Sequence, residues 1–321
     1  MSIQELSLND LNPTEFIEAQ CRLISKQVGK SKAVNALSGG VDSSVTTLLA
    51  HRALEDRLLT YFIDNGLMRE GEPEFVVSGM KQLGVQVELV DARQEFFSAL
   101  KGKTDPEEKR QAITDTFYKN VFGRLVKESG AAYLLQGTIY TDMEETVAGI
   151  KRQHNILAQL GIDTKAAYGY TVIEPLIRLR KSGVRAIGKA LGMPKDMYHR
   201  VPFPGPALAA RVIGEATPKR IALVRKATVV VEDVLSAIDA FQYMAILHED
   251  RVTGIRDGKR EYGFQIEIRC WDSRDAVTAS PTQISFELLR KMADRITSEV
   301  PGVVSVTYNI TPKPPSTIEA L

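Results

Sequence analysis

Residues 32–50 impose a strand, a tight loop and a helix on the chain, in that order. Lys32-Ala33-Val34-Asn35-Ala36-Leu37 reads as a short buried strand. Ser38-Gly39-Gly40-Val41-Asp42-Ser43-Ser44 follows as a Ser/Gly loop, and Val45-Thr46-Thr47-Leu48-Leu49-Ala50 continues as an apolar-faced helix. A loop that leaves a strand end and opens a helix gathers free backbone N–H groups at the positive end of the helix dipole. The two glycines let the backbone approach a ligand closely. Ser38, Ser43 and Ser44 add hydroxyl donors. The sum is an anion cradle, best suited to a pyrophosphate. A glycine turn with one Asp or Ser cap would account for one glycine and one cap, but not for the whole cluster behind a buried strand.

The loop is not a Walker A loop, because it lacks that spacing and its lysine, and it is not a Gly-x-Gly-x-x-Gly fingerprint. Its surroundings place it in an α/β sheet. Pro13 to about Lys26 reads helical. Leu58–Ile63 reads as a second buried strand that ends at Asp64-Asn65-Gly66. Glu74 to Leu83 reads helical, Val85 to Val90 as strand, and Asp105 to Ser129 as a long helical region opened by a capping signal with Pro106 at its first position. Tyr133-Leu134-Leu135-Gln136 is the next strand. Strands alternating with helices predict a parallel sheet, whose ligands sit outside the carboxyl ends of the strands. The strand ends at Leu37-Ser38, Ile63-Asp64 and Gln136-Gly137 are therefore expected to converge on one site.

Val201-Pro202-Phe203-Pro204-Gly205-Pro206 is a stiff break. Beyond it the order changes. A helix over Lys219–Ser236 precedes strands near Gln242–Leu247 and Tyr262–Arg269. A helix then covers about Thr282 to Glu299, and a strand Val303 to Ile310. This predicts a small α+β unit. Lys+Arg number 41 and Asp+Glu 40, a formal charge of +1, so nothing favours nucleic acid as a partner. Cys21 and Cys270 stand far apart without a Cys-x-x-Cys, which argues against a zinc site or a disulfide framework and fits a reducing cytoplasm. Both read as packing residues. No apolar run approaches a membrane span, and Met1 to Asn12 is polar and acidic, unlike a signal peptide.

The Ser-Gly-Gly-x-Asp-Ser loop resembles the PP-loop of ATP pyrophosphatases, and the rest of the chain narrows that resemblance to the GMP synthase family. The segments that carry it are Ala36–Ser44, Phe62–Arg69, Asp105–Arg110, Gln136–Tyr140, Pro202–Pro206, Arg211–Glu215 and the tail Lys313-Pro314-Pro315-Ser316-Thr317-Ile318-Glu319. The Pro-rich hinge and the tail are the specific ones, since the loop alone is shared with other adenylating enzymes. The resemblance implies an α/β fold: a parallel-sheet adenine nucleotide alpha hydrolase-like (PP-loop) domain over 1–201, followed by a small α+β dimerisation domain over 202–321. It implies a ligase that adenylates the C2 oxygen of XMP with ATP and Mg²⁺, then lets ammonia displace AMP to give GMP. Adenylation turns a poor leaving group into AMP, while the loop and metal absorb charge on the departing pyrophosphate.

Residue by residue, the resemblance has Ser38, Gly39, Gly40, Val41, Asp42, Ser43 and Ser44 hold the pyrophosphate. Ile63, Leu67, Gln136, Gly137 and Thr138 would shape the adenosine side. Asp42 is the metal residue, with Asp142 and Glu145 as nearby carboxylates, and Lys151 would neutralise the transferring phosphoryl group. The acceptor would lie at the seam with the second domain, lined by Phe203, Pro204, Gly205 and Pro206. Lys313 would pair with its phosphate, Glu319 would meet the purine edge, and Thr317 and Ile318 would complete the pocket. Asp142, Glu144 and Glu145 read equally as a solvated face, and Glu319 as a frayed terminus. A homodimer through the C-terminal domain is implied. With no glutaminase triad upstream of the loop, so is a separate glutamine amidotransferase subunit.

The chain departs from the family pattern at four places. The lid reads Lys151-Arg152-Gln153-His154-Asn155 and then Ile156-Leu157-Ala158-Gln159-Leu160, without the second histidine and the glycine pair. Pro-Gly-Pro-Gly becomes Pro204-Gly205-Pro206-Ala207. The second domain's glycine-rich turn becomes Gly254-Ile255-Arg256-Asp257-Gly258. Ala320-Leu321 replaces Trp-Glu. Three readings stand at this point: an XMP-amidating ligase, a related enzyme that amidates or thiolates another purine nucleotide, and a weakened nucleotide-binding subunit.

Overall fold

The computed structural model describes residues 3–147, 169–199, 203–274 and 277–320, with only the backbone for 145–147. The chain packs into two units. One comprises Met1–Asp64, Glu72–Asp91 and Phe117–Arg200; the other comprises Asn65–Gly71, Ala92–Thr116 and Val201–Leu321. The second unit is thus discontinuous, and it draws in two segments from within the span 1–201 expected for the first domain.

The first unit is built on a five-stranded parallel sheet. Its strands are β1 (Ala33–Leu37), β2 (Leu58–Asp64), β3 (Glu88–Asp91), β4 (Tyr133–Leu135) and β5 (Thr171–Ile173), in the order β3-β2-β1-β4-β5. Ala33 of β1 is in register with Leu58 on one side and Tyr133 on the other. The chain moves outward from β1 through β2 to β3, then returns to lay β4 against the other edge of β1. The switch point therefore lies at the carboxyl ends of β1 and β4, where such sheets bind ligands. The first helix, Pro13–Val28, is capped by Asn12, whose side chain accepts from the Thr14 and Glu15 N–H groups. It buries Phe16, Ile17, Ile24 and Val28. These join Val45, Leu49, Phe62, Leu176 and Ile187 in one core, each contributing roughly 1.5–3 kcal/mol by burial. β3 begins at Glu88, later than expected. β5 and the helix Lys181–Ala190 were not anticipated from the sequence.

The second unit carries β6 (Gln242–Arg256), β7 (Lys259–Asp272), β8 (Ser280–Pro281) and β9 (Val303–Tyr308). β6 and β8 pair antiparallel to β7, and β9 pairs parallel to it. β6 and β7 run well past their expected ends because Asp257-Gly258 closes them as a hairpin, both residues at positive φ. Helices Pro218–Val234 and Phe286–Glu299 pack with this sheet, capped by Thr217 and Ser285. The second starts four residues later than the sequence suggested, at the residue that follows its serine cap.

Candidate active site

The Ser/Gly loop sits where the sequence placed it. Gly40 is the N-cap of the helix Val41–Leu54, directly after β1. Gly39 takes φ +79°, a left-handed backbone that glycine adopts without penalty. The serines hold the turn together. Ser43 Oγ accepts from the Ser38 N–H at 3.2 Å and donates to the Gly40 carbonyl at 2.9 Å, while the Ser38 and Ser43 hydroxyls lie 2.9 Å apart. Asn35 of β1 donates to Thr47 Oγ1 at 2.5 Å, and Thr47 donates to the Ser43 carbonyl, so strand and helix are tied beneath the loop. Ser38 and Gly40 are exposed, whereas Gly39, Val41 and Ser44 are buried. The first-turn N–H groups of this helix have no partner within it.

β4 brings its own end against the loop. A Cβ on Gly137 would lie 3.0 Å from the Asp42 carbonyl carbon and oxygen and from the Ser43 nitrogen, so any side chain here would press on the loop backbone. Gln136 donates to Thr138 Oγ1 at 3.3 Å, and Thr138 donates to Glu174 at 2.6 Å. Ile63 is buried at the end of β2. Asp142 accepts from the Ile139 N–H at 3.0 Å, at the start of the helix Tyr140–Val147. Lys151, His154 and the rest of the lid lie outside the described residues, as does the side chain of Glu145.

One residue reaches this loop that the sequence reading did not select. Lys181, at the first position of the helix Lys181–Ala190, places Nζ 2.5 Å from Asp42 Oδ2. The other carboxylate oxygen, Oδ1, is buried without a hydrogen-bond partner. The signal in the sequence was Lys181 itself, a cation at a helix start after the next strand of an α/β alternation. With β5 unrecognised, nothing marked it.

The second unit holds the hinge and tail residues. Phe203 is half-buried, with the Arg69 guanidinium 4.1 Å and that of Arg211 5.0 Å from its ring centre. Ala207 takes φ +55°, and its N–H donates to the Pro204 carbonyl at 2.9 Å. Arg211 is 1% exposed and donates twice to Glu319, and Gln242 donates to Glu319 Oε1 at 2.7 Å. Arg269 donates to the Thr317 and Glu319 carbonyls, and the Trp271 indole N–H to that of Ile318. Glu319 is therefore anchored rather than frayed. Trp271 is a core residue that grips the tail, and Cys270 is buried beside it. Lys313 exchanges backbone hydrogen bonds with Ala279 and borders an open pocket of about 730 Å³, shared with Arg274, Thr278 and Ser280. Leu67 is fully buried, its N–H held by Asn65 and its carbonyl by Leu208.

Beneath the tail, burial raises the Glu267 carboxyl, but hydrogen bonds from His248, Asn309 and Arg269 outweigh it and bring the pKa down to about 2. Lys109, 2% exposed, gives its ammonium to the carbonyls of Ala209, Val212 and Gly214 at 3.3, 2.7 and 3.0 Å. Burial, assisted by Arg220, lowers its pKa to about 8, so it remains charged at neutral pH. Three acceptors match its three donors.

Comparison with known proteins decides the family. Residues 15–207 match the NAD synthase family model, and residues 230–320 match that of the GMP synthase C terminal domain. A subunit of the glutamine-hydrolyzing GMP synthase of Archaeoglobus fulgidus is 47% identical over 95% of this chain and 98% of its own length. The same subunits from Pyrococcus furiosus and Methanopyrus kandleri are 46% and 42% identical, covering 95% and 96% of this chain and 96% and 99% of theirs. The chain belongs to this family of GMP synthase subunits. The parallel sheet with its PP-loop, and the second sheet with its mixed pairing, are the fold expected for a member. The four departures noted in the sequence are thus variation within this family.

Proposed function

We propose that this chain is the synthetase subunit of a GMP synthase, converting XMP, ATP and ammonia into GMP, AMP and pyrophosphate. The observation that carries the reading is the 47% identity over 95% of the chain, rather than the loop alone. The loop of the first unit binds the β- and γ-phosphates through its N–H groups and its serines. The C2 oxygen of XMP attacks the α-phosphorus, the bond to the bridging oxygen breaks, and pyrophosphate leaves with the electron pair. Ammonia then adds at C2 and AMP departs with its oxygen.

Asp42 fits a magnesium ion. Its Oδ1 is buried without a hydrogen-bond partner. Magnesium is commonly held by one or two carboxylates together with substrate phosphates, and would supply neutralising charge there. Gln136, Gly137 and Thr138 shape the adenosine side, with Ile63 and Leu67 taking part through the segment that follows β2. Asp142, Glu145 and Lys151 complete the catalytic set.

On the acceptor side, Lys313 and the pocket beside it take the phosphate. Glu319, held by Arg211 and Gln242, accepts from the purine N–H groups, with Thr317, Ile318 and the hinge Phe203–Pro206 as walls. A homodimer through the second unit is supported by Ile255, Tyr262, Phe286 and Ile310, each at least 66% exposed. A separate amidotransferase subunit is supported by the relatives' names, which describe one subunit of a glutamine-hydrolyzing enzyme and not the whole of it. A cytoplasmic location is supported by the two free cysteines. Among the described residues no helix is long and apolar enough to cross a membrane.

Pyrophosphate release with MgATP and ammonium, comparing XMP with IMP, GMP, AMP and no acceptor, tests the reading. Stimulation by XMP alone, with GMP formed, is expected. ATP binding without stimulation by XMP would overturn it.

A further inference from the structure

Lys109 is a cation buried within the second unit. It sits on the helix Pro106–Asp115 at 2% exposure, and its ammonium donates to the carbonyls of Ala209, Val212 and Gly214. All three acceptors are neutral, and all come from one short segment far along the chain. A helix that packs against a core needs only an apolar side chain at a buried position, and a buried ammonium costs more than one. Stability of the helix therefore does not call for Lys109. What the lysine fixes is the path of residues 209–214. Ala209 lies in the short 3₁₀ turn Ala207–Arg211, and Val212 and Gly214 follow that turn. One ammonium thus holds the backbone on both sides of Arg211.

Arg211 is where that grip has a consequence. Its Nε and Nη2 each donate to one oxygen of Glu319 at 3.3 Å. A two-pronged contact of this kind depends on the plane and position of the guanidinium. At 3.3 Å both prongs are already long for an N–H donor, so a small shift of the Arg211 backbone loosens them together. The tail has a second hold beside this one, the Trp271 indole N–H on the Ile318 carbonyl at 3.1 Å. Arg220 takes the carbonyls of Ile213 and Glu215, which Lys109 leaves, so the segment is held by two cations in alternation.

We propose that Lys109 is a positioning residue for acceptor recognition: by fixing the backbone on both sides of Arg211, it holds the guanidinium where it anchors Glu319 and so presents that carboxylate to the purine. The inference rests on the acceptor role given to Glu319 in the proposed function. Lys109 itself touches no substrate and transfers no proton. The charged groups that face it are Asp105 at the start of its own helix, Arg220 on the helix Pro218–Val234 and Glu249 on β6. Burial and Arg220 push its pKa down to about 8, against the pull of Asp105 and Glu249. A neutral amine has two hydrogens to give instead of three and turns a lone pair towards a carbonyl. The hold on Arg211 is therefore expected to slacken as pH rises through about 8.

Trp271 is the single tryptophan of the chain and is fully buried against the tail, so its fluorescence reads tail docking without any ligand. In the full chain, Lys109→Met is expected to move that emission to longer wavelength. It is expected to weaken XMP binding by about tenfold or more and to leave ATP binding unchanged. Lys109→Arg, which keeps the charge, should recover part of both losses. In the unsubstituted protein, both changes should appear as pH is raised, with a midpoint near the lysine's pKa of about 8; in Lys109→Met neither step should remain. In a Glu319→Gln background Lys109→Met should cost little further XMP affinity, because the two act through one contact. Unchanged emission and XMP binding in Lys109→Met would overturn the proposal. So would an equal loss of ATP and XMP binding with a lowered melting temperature, which would make Lys109 a support of the fold alone. Should Lys109→Met fail to fold, the pH titration of the unsubstituted protein decides, and the absence of a step in tryptophan emission overturns the proposal. A failure of the acceptor reading shows separately, as an unsubstituted protein that binds no XMP while its tryptophan emission still answers to Lys109.

Discussion

In the mechanism proposed above, most of the chemistry turns on Asp42. One of its oxygens is spoken for by Lys181 and the other is buried without a hydrogen-bond partner. An ionised carboxylate in that position is costly unless a cation joins it. Asp42→Ala is expected to lower XMP-dependent pyrophosphate release by about a hundredfold or more, in line with the loss of a preorganised electrostatic group. The oligomeric state, read by analytical ultracentrifugation, should not change. Surviving turnover would refute the role given to the loop. Ala207 is a different kind of site. It is buried, at φ +55°. A left-handed backbone costs a residue with a Cβ about 1–2 kcal/mol, and glycine gives back about 0.4–1 kcal/mol through its freer unfolded chain. Ala207→Gly is therefore expected to stabilise the protein by roughly 0.5–1 kcal/mol, visible as a small rise in melting temperature. A fall would show that the alanine methyl packs well enough to offset its backbone strain.

The strand–loop–helix over residues 32–54 was legible because its signals are local. A short, mostly apolar run, two glycines and the serines all fall within one short window. What holds the loop from outside was not legible. Gly137 reads in sequence as a strand end, and only the pairing of β4 with β1 shows that its missing side chain makes room for the Asp42 backbone. Gly137→Ala is expected to displace the loop and raise KM for ATP by about tenfold, since a Cβ at 3.0 Å from three backbone atoms must push them. An unchanged KM would mean that the two segments part freely. The network under the tail was hidden in the same way, because Glu267, Arg269, His248 and Asn309 are brought together by strand pairings that the sequence does not print. Glu267 has its pKa depressed to about 2 in the fold against an ordinary value near 4.5. The unfolded chain takes up the proton first as pH falls, so the stability Glu267 contributes is fully present above about pH 4.5 and is lost progressively down to about pH 2. Glu267→Gln is expected to flatten the acid limb of stability against pH and to destabilise at pH 7 by about 2–4 kcal/mol, as Arg269 loses its buried partner. Denaturant melts across that pH window check both.

At the level of the whole chain, the sequence placed one boundary near the Pro-rich hinge, and the structure adds two crossings that no local pattern announces. The segment Asn65–Gly71 belongs to the second unit because Arg225 donates to the Gly66 and Met68 carbonyls and Leu208 to that of Leu67. Ala92–Thr116 belongs there because Lys109 holds the carbonyls of Ala209, Val212 and Gly214. A helix pattern states which face is apolar and not which core receives it, so such exchanges are invisible until partners distant in sequence are known. The proposed reaction asks of these units a nucleophile that, on this reading, a separate subunit generates. That nucleophile is ammonia in the proposed reaction, and of the two cysteines one is buried in β7 while the other lies on the first helix, its thiol 3.6 Å from the Leu49 carbonyl. Burial raises the pKa of both thiols, the reverse of what a glutamine-attacking thiolate needs. The 321-residue chain alone is therefore expected to form GMP with ammonium and to show no turnover with glutamine. Glutamine should become a nitrogen source only when a separate amidotransferase is added. Because NH₃ and not NH₄⁺ carries the lone pair that attacks, the ammonium-dependent rate should rise with pH through the neutral range, while the glutamine-dependent rate of the assembled pair should rise less steeply if nitrogen passes directly between the two proteins. GMP formation from glutamine by the isolated chain would place a glutaminase within it and refute the division of labour; equal pH profiles for the two nitrogen sources would refute direct transfer.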